Sequence, residues 1–361
     1  MILMNRSTFC NALLVTTTSF LSTTSTGDEE ELKYAAQLVR NEVSESIKHD
    51  PTLAGSVLRL AFHDAVVRSK TSNPNIGGAD GKKMLLCPKI RQTKYKRQCL
   101  SQKLIILIII IITTLIGSIR YELDWSENRG LTKPLKEIEK IYELQHEYCK
   151  ICTNPNECKC LSFADVLALA GAAAVEAAQG PKIPIKLGRT DKNVADERFL
   201  DQIIESESDR SSIKYSLPSA ALDSLGLRNY FNRLDLTEEE MVALMGAHDL
   251  GRHVTLTGMP KECLRNLTRT CLEEAPTMTP FVSKDPDTFS NSYYDTLLRW
   301  YDRTIEYGEA LFIPTDVALV VDEGLKKYAI KFSKDERKFF HTFTIAYQKL
   351  VESTATTSLR Y

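Results

Sequence analysis

Apolar residues recur along this chain with the spacing of α-helices. Between residues 29 and 49 they fall mostly three or four positions apart, at Leu32, Ala35, Leu38, Val39, Val43 and Ile47, which is typical of an amphipathic helix. Similar patterns predict helices over residues 131–148, 161–179, 237–250, 291–300, 315–322 and 334–352. Strand-like alternation is rare, and Gly and Pro mark turns between the helices. The pattern therefore predicts an all-α fold with long irregular connections.

Another helix is predicted to begin at Pro51, because proline is well tolerated in a first turn, where its missing N–H costs nothing. It carries Arg59 and His63, which are four residues apart and so share one face. A permanent cation beside a titratable imidazole suits a reaction that moves a proton while negative charge builds on a leaving atom. An Arg and a His on a surface helix are also commonly just solvated. Other residues of the chain must therefore show whether this pair has a catalytic role.

The composition is that of an ordinary globular protein. The 361 residues are 43% hydrophobic and 26% charged, enough for one large domain or two modest ones with a sizeable core. The net charge of −1 gives no indication of a nucleic-acid partner. The nine cysteines are an odd number, so at least one thiol is free or is taken by a metal or a partner.

Residues 1–27 have the composition of a cleavable targeting segment. Arg6 is their only charge, and the apolar stretch from Cys10 to Val15 is followed by a run of Thr and Ser. The pattern indicates either the secretory pathway or an organelle such as a plastid. The alternative interpretation is a disordered tail.

Two internal segments differ from their surroundings. Residues 82–117 begin with a basic tract and continue into an apolar run, 104–117, rich in β-branched residues. This run is shorter than the roughly 18–20 residues that a spanning helix needs, so a membrane span is the less favoured alternative, and an exposed strand would favour aggregation. The second segment, from Lys192 to Lys214, is polar and is predicted to be a flexible loop.

A second histidine, His248, lies in an apolar helical stretch directly after Gly246 and Ala247. Small residues beside a histidine leave room for a large flat group to approach. The alternative is a core histidine satisfied by ordinary hydrogen bonds.

Two further polar residues are candidates to orient a histidine. Asp316 follows Pro314 at a predicted helix start, so Thr315 or Asp316 could be an N-cap, or Asp316 could accept the second N–H of a ligand histidine. Asn128 lies in a Gly-containing turn sequence, where it could fix a histidine tautomer or serve only the turn.

The motifs that carry these residues, taken in chain order, resemble those of the plant, fungal and bacterial haem peroxidase superfamily, and most nearly its ascorbate peroxidase-like members. They are R-L-x-F-H-D at 59–64, S-F-A-D-V-L-A-L-A-G at 162–171, G-P-K-I-P-I-K-L-G-R-T-D at 180–191, V-A-L-x-G-A-H-x-L-G-R at 242–252 and P-T-D-x-A-L at 314–319. The resemblance implies an all-α fold in which haem b lies between a distal half, 28–185, and a proximal half, 186–352, followed by a tail, 353–361.

The resemblance also implies a reaction, in which hydrogen peroxide is reduced to water and a small-molecule electron donor is oxidised during the response to oxidative stress. His248 would ligate the haem iron, and Asp316 would accept its Nδ1–H. His63 would move a proton between the peroxide oxygens, and Arg59 would stabilise charge on the departing one.

Asn128, backed by Glu122, would hold His63 in the neutral tautomer. Phe62 and Phe281 would lie against the haem at the places where ascorbate and cytochrome c peroxidases have Trp. A Trp radical beside the haem and strong catalase activity are therefore disfavoured.

The resemblance does not extend to the binding of ascorbate. The Arg that binds ascorbate in that branch would fall at Thr257, and its Lys and Cys would fall at Pro51 and Leu53. Arg252 or Arg265 are the alternatives for this role, so the donor stays open.

A distal calcium site is implied by the resemblance to the secreted plant and fungal branches. Its ligands would be Asp64, the carbonyls of Val67 and Gly78, and Asp80, and oxygen ligands in a short loop suit Ca²⁺. Ala65 and Ala79 replace the cysteines of the plant branch, so its disulfides are missing.

The resemblance to these branches implies a Ser directly after Gly81, but Lys82 stands there. Excising 82–117 joins Gly81 to Ser118 and Ile119 and restores the motif. This predicts that 82–117 is an unspliced intron.

Cys149, Cys152, Cys158 and Cys160 lie close together in the sequence. Their spacing fits no common zinc site well, and in an exported chain two disulfides are favoured over a metal. Cys263 and Cys271 could pair likewise across a proximal loop.

Three functional hypotheses follow. The first is an active haem peroxidase, which the presence of Arg59, His63, Asn128, His248 and Asp316 favours. The second is a haem-free structural or interaction protein on a peroxidase fold. The third, a membrane-tethered peroxidase, rests on 104–117 alone.

Overall fold

The computed structural model describes the helical body of the chain. The described residues are 25–66, 115–116, 118–124, 128–152, 160–191, 217–218, 220, 222–232, 234–255, 277–280, 285–305 and 312–352.

Ten α-helices lie within these ranges, and the predicted all-α class is confirmed. They are α1 (Ser25–His49), α2 (Leu53–Val66), α3 (Thr132–Cys152), α4 (Phe163–Ala177), α5 (Ser224–Asn232), α6 (Glu238–Met245), α7 (Ser292–Tyr301), α8 (Pro314–Val321), α9 (Glu323–Lys334) and α10 (Glu336–Glu352). Two short 3-10 helices span Ser118–Tyr121 and Gly246–Asp249.

Four short strands pair connecting segments with one another. β1 (Leu115–Ile116) runs parallel to β2 (Thr190–Asp191), and β3 (Arg252–Thr255) runs antiparallel to β4 (Thr277–Pro280). With two to four residues each, they are local pairings and do not form a sheet layer.

Helix α4 lies at the centre of the packing. Every residue from Phe163 to Val175 is buried, which is typical of a helix surrounded by others on all sides. Both α1 and α2 pack against α4. On the other side of the molecule α6 packs against α9 and α10, and α10 also contacts α2. The last helix therefore touches both α2, which carries His63, and α6, which leads into the turn that carries His248.

Side chains at the helix starts explain why several helices begin where they do. Ser162 accepts the backbone N–H of Asp165 at 3.0 Å at the start of α4. Thr237 and Glu240 form a reciprocal capping box at the start of α6, and Asp322 accepts the N–H of Leu325 at the start of α9. Such caps satisfy N–H groups that have no partner inside the helix.

Helix α3 extends to Cys152, beyond the predicted end at 148, and two boundaries near the site histidines also differ from the prediction. α2 begins at Leu53, and Pro51 lies in the turn before it, because the N–H of Leu53 bonds back to the carbonyl of Asp50 at 3.0 Å. The helix predicted over 237–250 ends as an α-helix at Met245 and tightens into the 3-10 turn that carries His248. Two helices, α5 and α9, were not predicted.

Several predictions concern segments at the edge of the described ranges. α1 begins at Ser25, so the last three residues of the segment 1–27 are helical. Of the segment 82–117, Leu115 and Ile116 are described, and they pair with β2. The rest of that segment and the loop from Lys192 to Lys214 lie outside the described residues. None of the helices seen in the described ranges combines the length and apolar character needed to cross a bilayer.

Candidate functional site

The first histidine of the site is oriented by an asparagine. His63 projects from α2, and its Nδ1 lies 2.8 Å from Oδ1 of Asn128. The Nδ2 of Asn128 donates to the backbone carbonyl of Glu122 at 2.8 Å. Because a carbonyl can only accept, the amide nitrogen of Asn128 must face Glu122, and its oxygen must face His63. Nδ1 of His63 is therefore the protonated nitrogen, and Nε2 carries the lone pair.

The environment keeps this imidazole neutral. His63 is buried, and burial lowers its pKa from 6.5 to about 3, with the positive charge of Arg59 acting in the same direction. The hydrogen bond to Asn128 opposes the shift without overcoming it. At neutral pH His63 can accept a proton at Nε2, as a general base requires.

Arg59 lies one turn before His63 on α2, and its Nη1 donates to the backbone carbonyl of Arg129 at 3.0 Å. Partial desolvation lowers the pKa of Arg59 to about 10, with the charge of Arg129 contributing. The Arg59 side chain nevertheless exposes surface. Arg59 remains a cation at neutral pH.

The second histidine, His248, is held by a buried carboxylate. Its Nδ1 lies 2.7 Å from Oδ1 of Asp316. The same oxygen accepts the hydroxyl of Tyr293 at 2.6 Å, and Oδ2 accepts the backbone N–H of Ile313 at 3.0 Å. The N-cap of α8 is Ile313, so the prediction of an N-cap at Thr315 or Asp316 was wrong. Asp316, three residues later, accepts the N–H of that N-cap residue and also holds the histidine.

Tyr293 is a site residue that the sequence did not identify. It is fully buried, and its ring lies edge-on to that of His248, with 6.1 Å between centroids. Burial and the neighbouring Asp316 raise its pKa well above the usual range, so its hydroxyl stays a donor. The helical pattern over 291–300 places an aromatic residue here, but it does not show that the hydroxyl meets Asp316.

The residue after His248 ties the histidine turn to the helix that carries Tyr293. Asp249 accepts the hydroxyls of Ser290 and Ser292 at 2.9 and 2.8 Å, at the start of α7. Burial raises the pKa of Asp249 to about 6, against these hydrogen bonds. The turn and α7 are therefore fixed together, and Tyr293 with them.

The helix of His63 and the turn after His248 meet at two glycines. A Cβ on Gly55 would lie 2.7 Å from Cα of Gly251, closer than any real contact allows. Gly246 contributes differently from the expectation. A Cβ there would lie 2.6 Å from Phe339 and from the hydroxyl of Tyr294, so its small size allows packing against α7 and α10 and does not open a space for a flat group.

The proximal residues fit a haem. The side chain of His248 is 28% exposed, whereas that of Asp316 is 0% exposed, so the imidazole reaches out from a buried anchor. With Nδ1 directed at Asp316, Nε2 is the nitrogen that would ligate iron, and a carboxylate partner raises the basicity of such a ligand. On the distal side the neutral His63 and the cationic Arg59 are the groups that peroxide cleavage would use.

Of the other residues predicted for the haem and calcium sites, Phe62 and Asp64 are described, and the rest lie outside the described ranges. Phe62 is half-buried, with its ring 6.2 Å from that of His63 between centroids, and Phe281 is not described. Asp64 is buried, and its Oδ1 accepts the N–H of Ile119 at 3.2 Å. The remaining calcium ligands lie outside the described residues, namely Val67, Gly78 and Asp80, as do the donor-site residues Thr257 and Arg265.

The cysteine predictions are described only in part. Cys149 is buried on α3, 3.9 Å from the side-chain oxygen of Gln145, and Cys160 is half-buried. The side chains of Cys152 and Cys158 are not described, and Cys263 and Cys271 lie outside the described residues. Within the described part of the chain, no three His, Cys, Asp or Glu side chains form a metal-binding group. Zinc or disulfides at this cluster stay predictions.

The family model described as Peroxidase matches residues 108–335, more than half of the chain. The matched range includes His248 and Asp316 and begins after Arg59 and His63.

Individual relatives show the same likeness. The chain is 34% identical over 237 residues to L-ascorbate peroxidase T, chloroplastic, of Arabidopsis thaliana, covering 65% of this chain and 48% of that protein. It is 33% identical over 205 residues to the mitochondrial cytochrome c peroxidase of Yarrowia lipolytica, covering 54% and 51%. It is 28% identical over 332 residues to that of Cryptococcus neoformans, covering 88% and 67%. The chain spans about half the length of the first two of these relatives.

Proposed function

Because the chain belongs to the peroxidase family, we propose that it is a haem-dependent peroxidase that reduces hydrogen peroxide to water and oxidises an organic electron donor. One observation carries the proposal. Each of the two histidines directs Nδ1 at an oxygen acceptor, His63 at Asn128 and His248 at Asp316. In both, Nε2 is left as the reactive nitrogen, one for a proton and one for iron.

The chemistry of the distal residues follows from their protonation states. Nε2 of neutral His63 would take a proton from one oxygen of hydrogen peroxide and deliver it to the other oxygen, which would leave as water. The Arg59 cation stabilises negative charge on that departing oxygen. Haem, when bound, would supply the two electrons that cleavage of the O–O bond requires. Asn128 keeps Nε2 of His63 unprotonated between turnovers by holding the proton on Nδ1.

On the proximal side, His248 would hold the iron of haem b, and Asp316 would increase the basicity of the ligand. Since three hydrogen bonds converge on Asp316, its carboxylate is fixed in place. The organic donor would then supply two electrons, one at a time, to complete the reaction.

An absorption spectrum of the protein expressed with haem tests the proposal. We expect a Soret band that shifts on addition of hydrogen peroxide and returns on addition of a donor. Absence of the band, or a band that peroxide leaves unchanged, would favour the haem-free structural or interaction protein. Acid–acetone extraction should release the haem, as expected for haem b.

The donor, the compartment and calcium need their own tests. Relatives are named as ascorbate and cytochrome c peroxidases, so a panel of candidate electron donors should contain ascorbate, cytochrome c, a phenol and Mn²⁺.

Relatives are also named chloroplastic and mitochondrial. These names support an organelle over the secretory pathway for a leader within 1–27, and a fluorescent fusion to the full chain tests this. Calcium at Asp64 is testable by metal analysis before and after chelation.

A further inference from the structure

The turn Asn128–Leu131, which faces the distal pair, has a defined type. The N–H of Leu131 donates to the carbonyl of Asn128 at 3.1 Å. Gly130 has a φ of +86°, whereas Arg129 is not among the residues with positive φ. A four-residue turn with positive φ at its third residue alone is a type II turn. The peptide unit between Arg129 and Gly130 therefore has the type II orientation.

That orientation decides where the carbonyl of Arg129 points. In this structure it accepts the Nη1 hydrogen bond of Arg59 at 3.0 Å. A type I turn keeps the bond between the first and fourth residues but turns the central peptide over, so the carbonyl faces the opposite side. A residue with a Cβ at the third position favours type I, because positive φ is sterically unfavourable for it.

We propose that Gly130 is a positioning residue for Arg59, acting through the peptide that presents the Arg129 carbonyl. This inference rests on the proposed function, because it assigns Gly130 to the step that Arg59 would assist. It goes beyond the role expected of Asn128, which acts on His63.

The turn holds His63 and Arg59 through different groups, so one contact can be removed without the other. Asn128 holds His63 through its side chain, and that side chain is anchored on Glu122, before the peptide that would turn over. An alanine at Gly130 should therefore break the hydrogen bond from Arg59 to the Arg129 carbonyl and leave His63 held.

The effect would come from the backbone and not from side-chain bulk. Among the described residues, a Cβ on Gly130 would approach only Nη1 of Arg59, at 4.0 Å, which is an ordinary contact.

The test compares Gly130→Ala with Gly130→Asn in the haem-loaded protein. Asparagine tolerates positive φ at this turn position, so Gly130→Asn should behave like the native protein although its side chain is larger. We expect Gly130→Ala to slow the reaction with peroxide about tenfold, the effect of losing one hydrogen bond to a charged group. Fluoride, an anion that binds ferric iron and would accept from Arg59, should bind more weakly by a similar factor.

Gly188→Ala is the matched control, because Gly188 also has positive φ, +103°, and lies against Asp165 at the start of α4. It should lower the melting temperature without changing the peroxide rate or fluoride affinity. Should Gly130→Ala fail to load haem, Gly130→Ser takes its place, since serine shares the preference for type I.

A double-mutant cycle with Arg59→Ala decides whether the effect passes through Arg59. In the Arg59→Ala protein, Gly130→Ala should change neither readout further. Additive losses, or a Gly130→Ala protein that matches the native one, would overturn the inference while leaving the peroxidase intact. A native protein without a peroxide-sensitive Soret band would instead mean that the proposed function has failed.

Discussion

The backbones of Gly55 and Gly251 are in direct contact, and this contact joins the helix of Arg59 and His63 to the turn that follows His248. Cβ of any residue at position 55 would lie 2.7 Å from Cα of Gly251 and 2.9 Å from its nitrogen. Gly251 has a φ of +89° and donates its N–H to the carbonyl of Pro286 at 2.7 Å. The spacing of the two histidine-bearing segments is therefore set by backbone atoms, which cannot shift as a side chain can.

Gly55→Ala should separate the two segments. Overpacking against a fixed backbone costs about 1–3 kcal/mol, and we expect a loss of stability in this range by urea denaturation, together with faster loss of haem. Gly226→Ala is the control, because its Cβ would meet the flexible end of Leu222 at 2.9 Å. In helix α5 that substitution should be neutral or stabilise by about 0.4–1 kcal/mol. Equal effects of the two would contradict the role of the Gly55–Gly251 contact.

The periodicity of apolar residues predicted most of the helices but missed α5 and α9. Both have a buried stripe with helical spacing, such as Leu325, Ala329 and Phe332 in α9. Helix α9 follows α8 after Asp322 alone, and its first residues include Gly324 and several charged side chains, so the apolar stripe of α9 is sparse in the sequence. Asp322 ends one helix and caps the next.

Contacts between residues of local motifs were easier to predict than the groups that support them. His63, Arg59, His248 and Asp316 belong to local motifs, and the structure brings them into the expected pairs. Tyr293, which donates to Asp316, comes from a helix whose pattern shows burial but no direction for the hydroxyl. The Arg129 carbonyl was missed because any residue has a carbonyl, and only the turn type gives it a direction.

Replacing the buried carboxylate of Asp316 should weaken the proximal ligand. Asp316→Asn keeps the shape of the side chain but removes the negative charge that accepts from His248 and Tyr293. Substitution of such partners typically lowers activity or metal affinity about 10–100-fold. We expect a loss of this size in the rate of reaction with peroxide, and a higher reduction potential of the haem. Tyr293→Phe keeps the carboxylate and should cost stability, about 1 kcal/mol, with a smaller change in rate.

The low pKa of His63 predicts how stability depends on pH. Burial, aided by Arg59, lowers it to about 3 in the native state, whereas the unfolded chain takes up this proton below about pH 6.5. The unfolded state therefore binds more protons between these values, and the native state loses stability as pH falls, by up to about 1.4 kcal/mol per pH unit. Above pH 6.5 His63 is neutral in both the native and the unfolded state, so its titration causes no loss of stability there.

Urea denaturation at pH 7 and pH 4.5 measures this effect as the difference between the native protein and His63→Gln. Lowering the pH should reduce the unfolding free energy of the native protein more than that of the variant. The reason is that the unfolded variant has no imidazole at this position to take up a proton. A difference that does not change with pH would mean that His63 titrates normally. The rate of reaction with peroxide should stay flat over the same range, because His63 remains neutral.

A chain that lacks residues 82–117 should fold and load haem. The deletion joins Gly81 to Ser118, the start of the 3-10 helix that contains Ile119, which is fully buried. It removes the pairing of Leu115 and Ile116 with Thr190 and Asp191, so a small loss of stability is expected, about 1 kcal/mol for two such hydrogen-bonded residues. A deletion variant that does not fold would identify the segment as part of the mature protein, as would a transcript that retains it.

The ion pair of Asp165 and Arg189 should be the most costly polar contact to break outside the two histidines. Both side chains are almost fully buried and lie 2.7 Å apart, and Asp165 also accepts the backbone N–H groups of Gly188 and Arg189 at 2.8 and 3.2 Å. Arg189 in turn donates from Nε to the carbonyl of Val351 in α10 at 3.1 Å, so the pair fastens the start of α4 to the last helix.

Asp165→Ala leaves the Arg189 cation buried without its carboxylate, which typically costs about 3–5 kcal/mol. Arg189→Met in the Asp165→Ala protein removes that charge and should recover part of the loss, because the remaining carbonyl acceptors are less costly to leave than a buried cation. Urea denaturation of the native protein, the single variant and the double variant measures both steps. The surface pair of Lys331 and Glu239, 2.8 Å apart on an exposed face, provides the comparison, and its loss should cost no more than about 1 kcal/mol. Similar costs for the two pairs would show that burial does not govern the strength of the first.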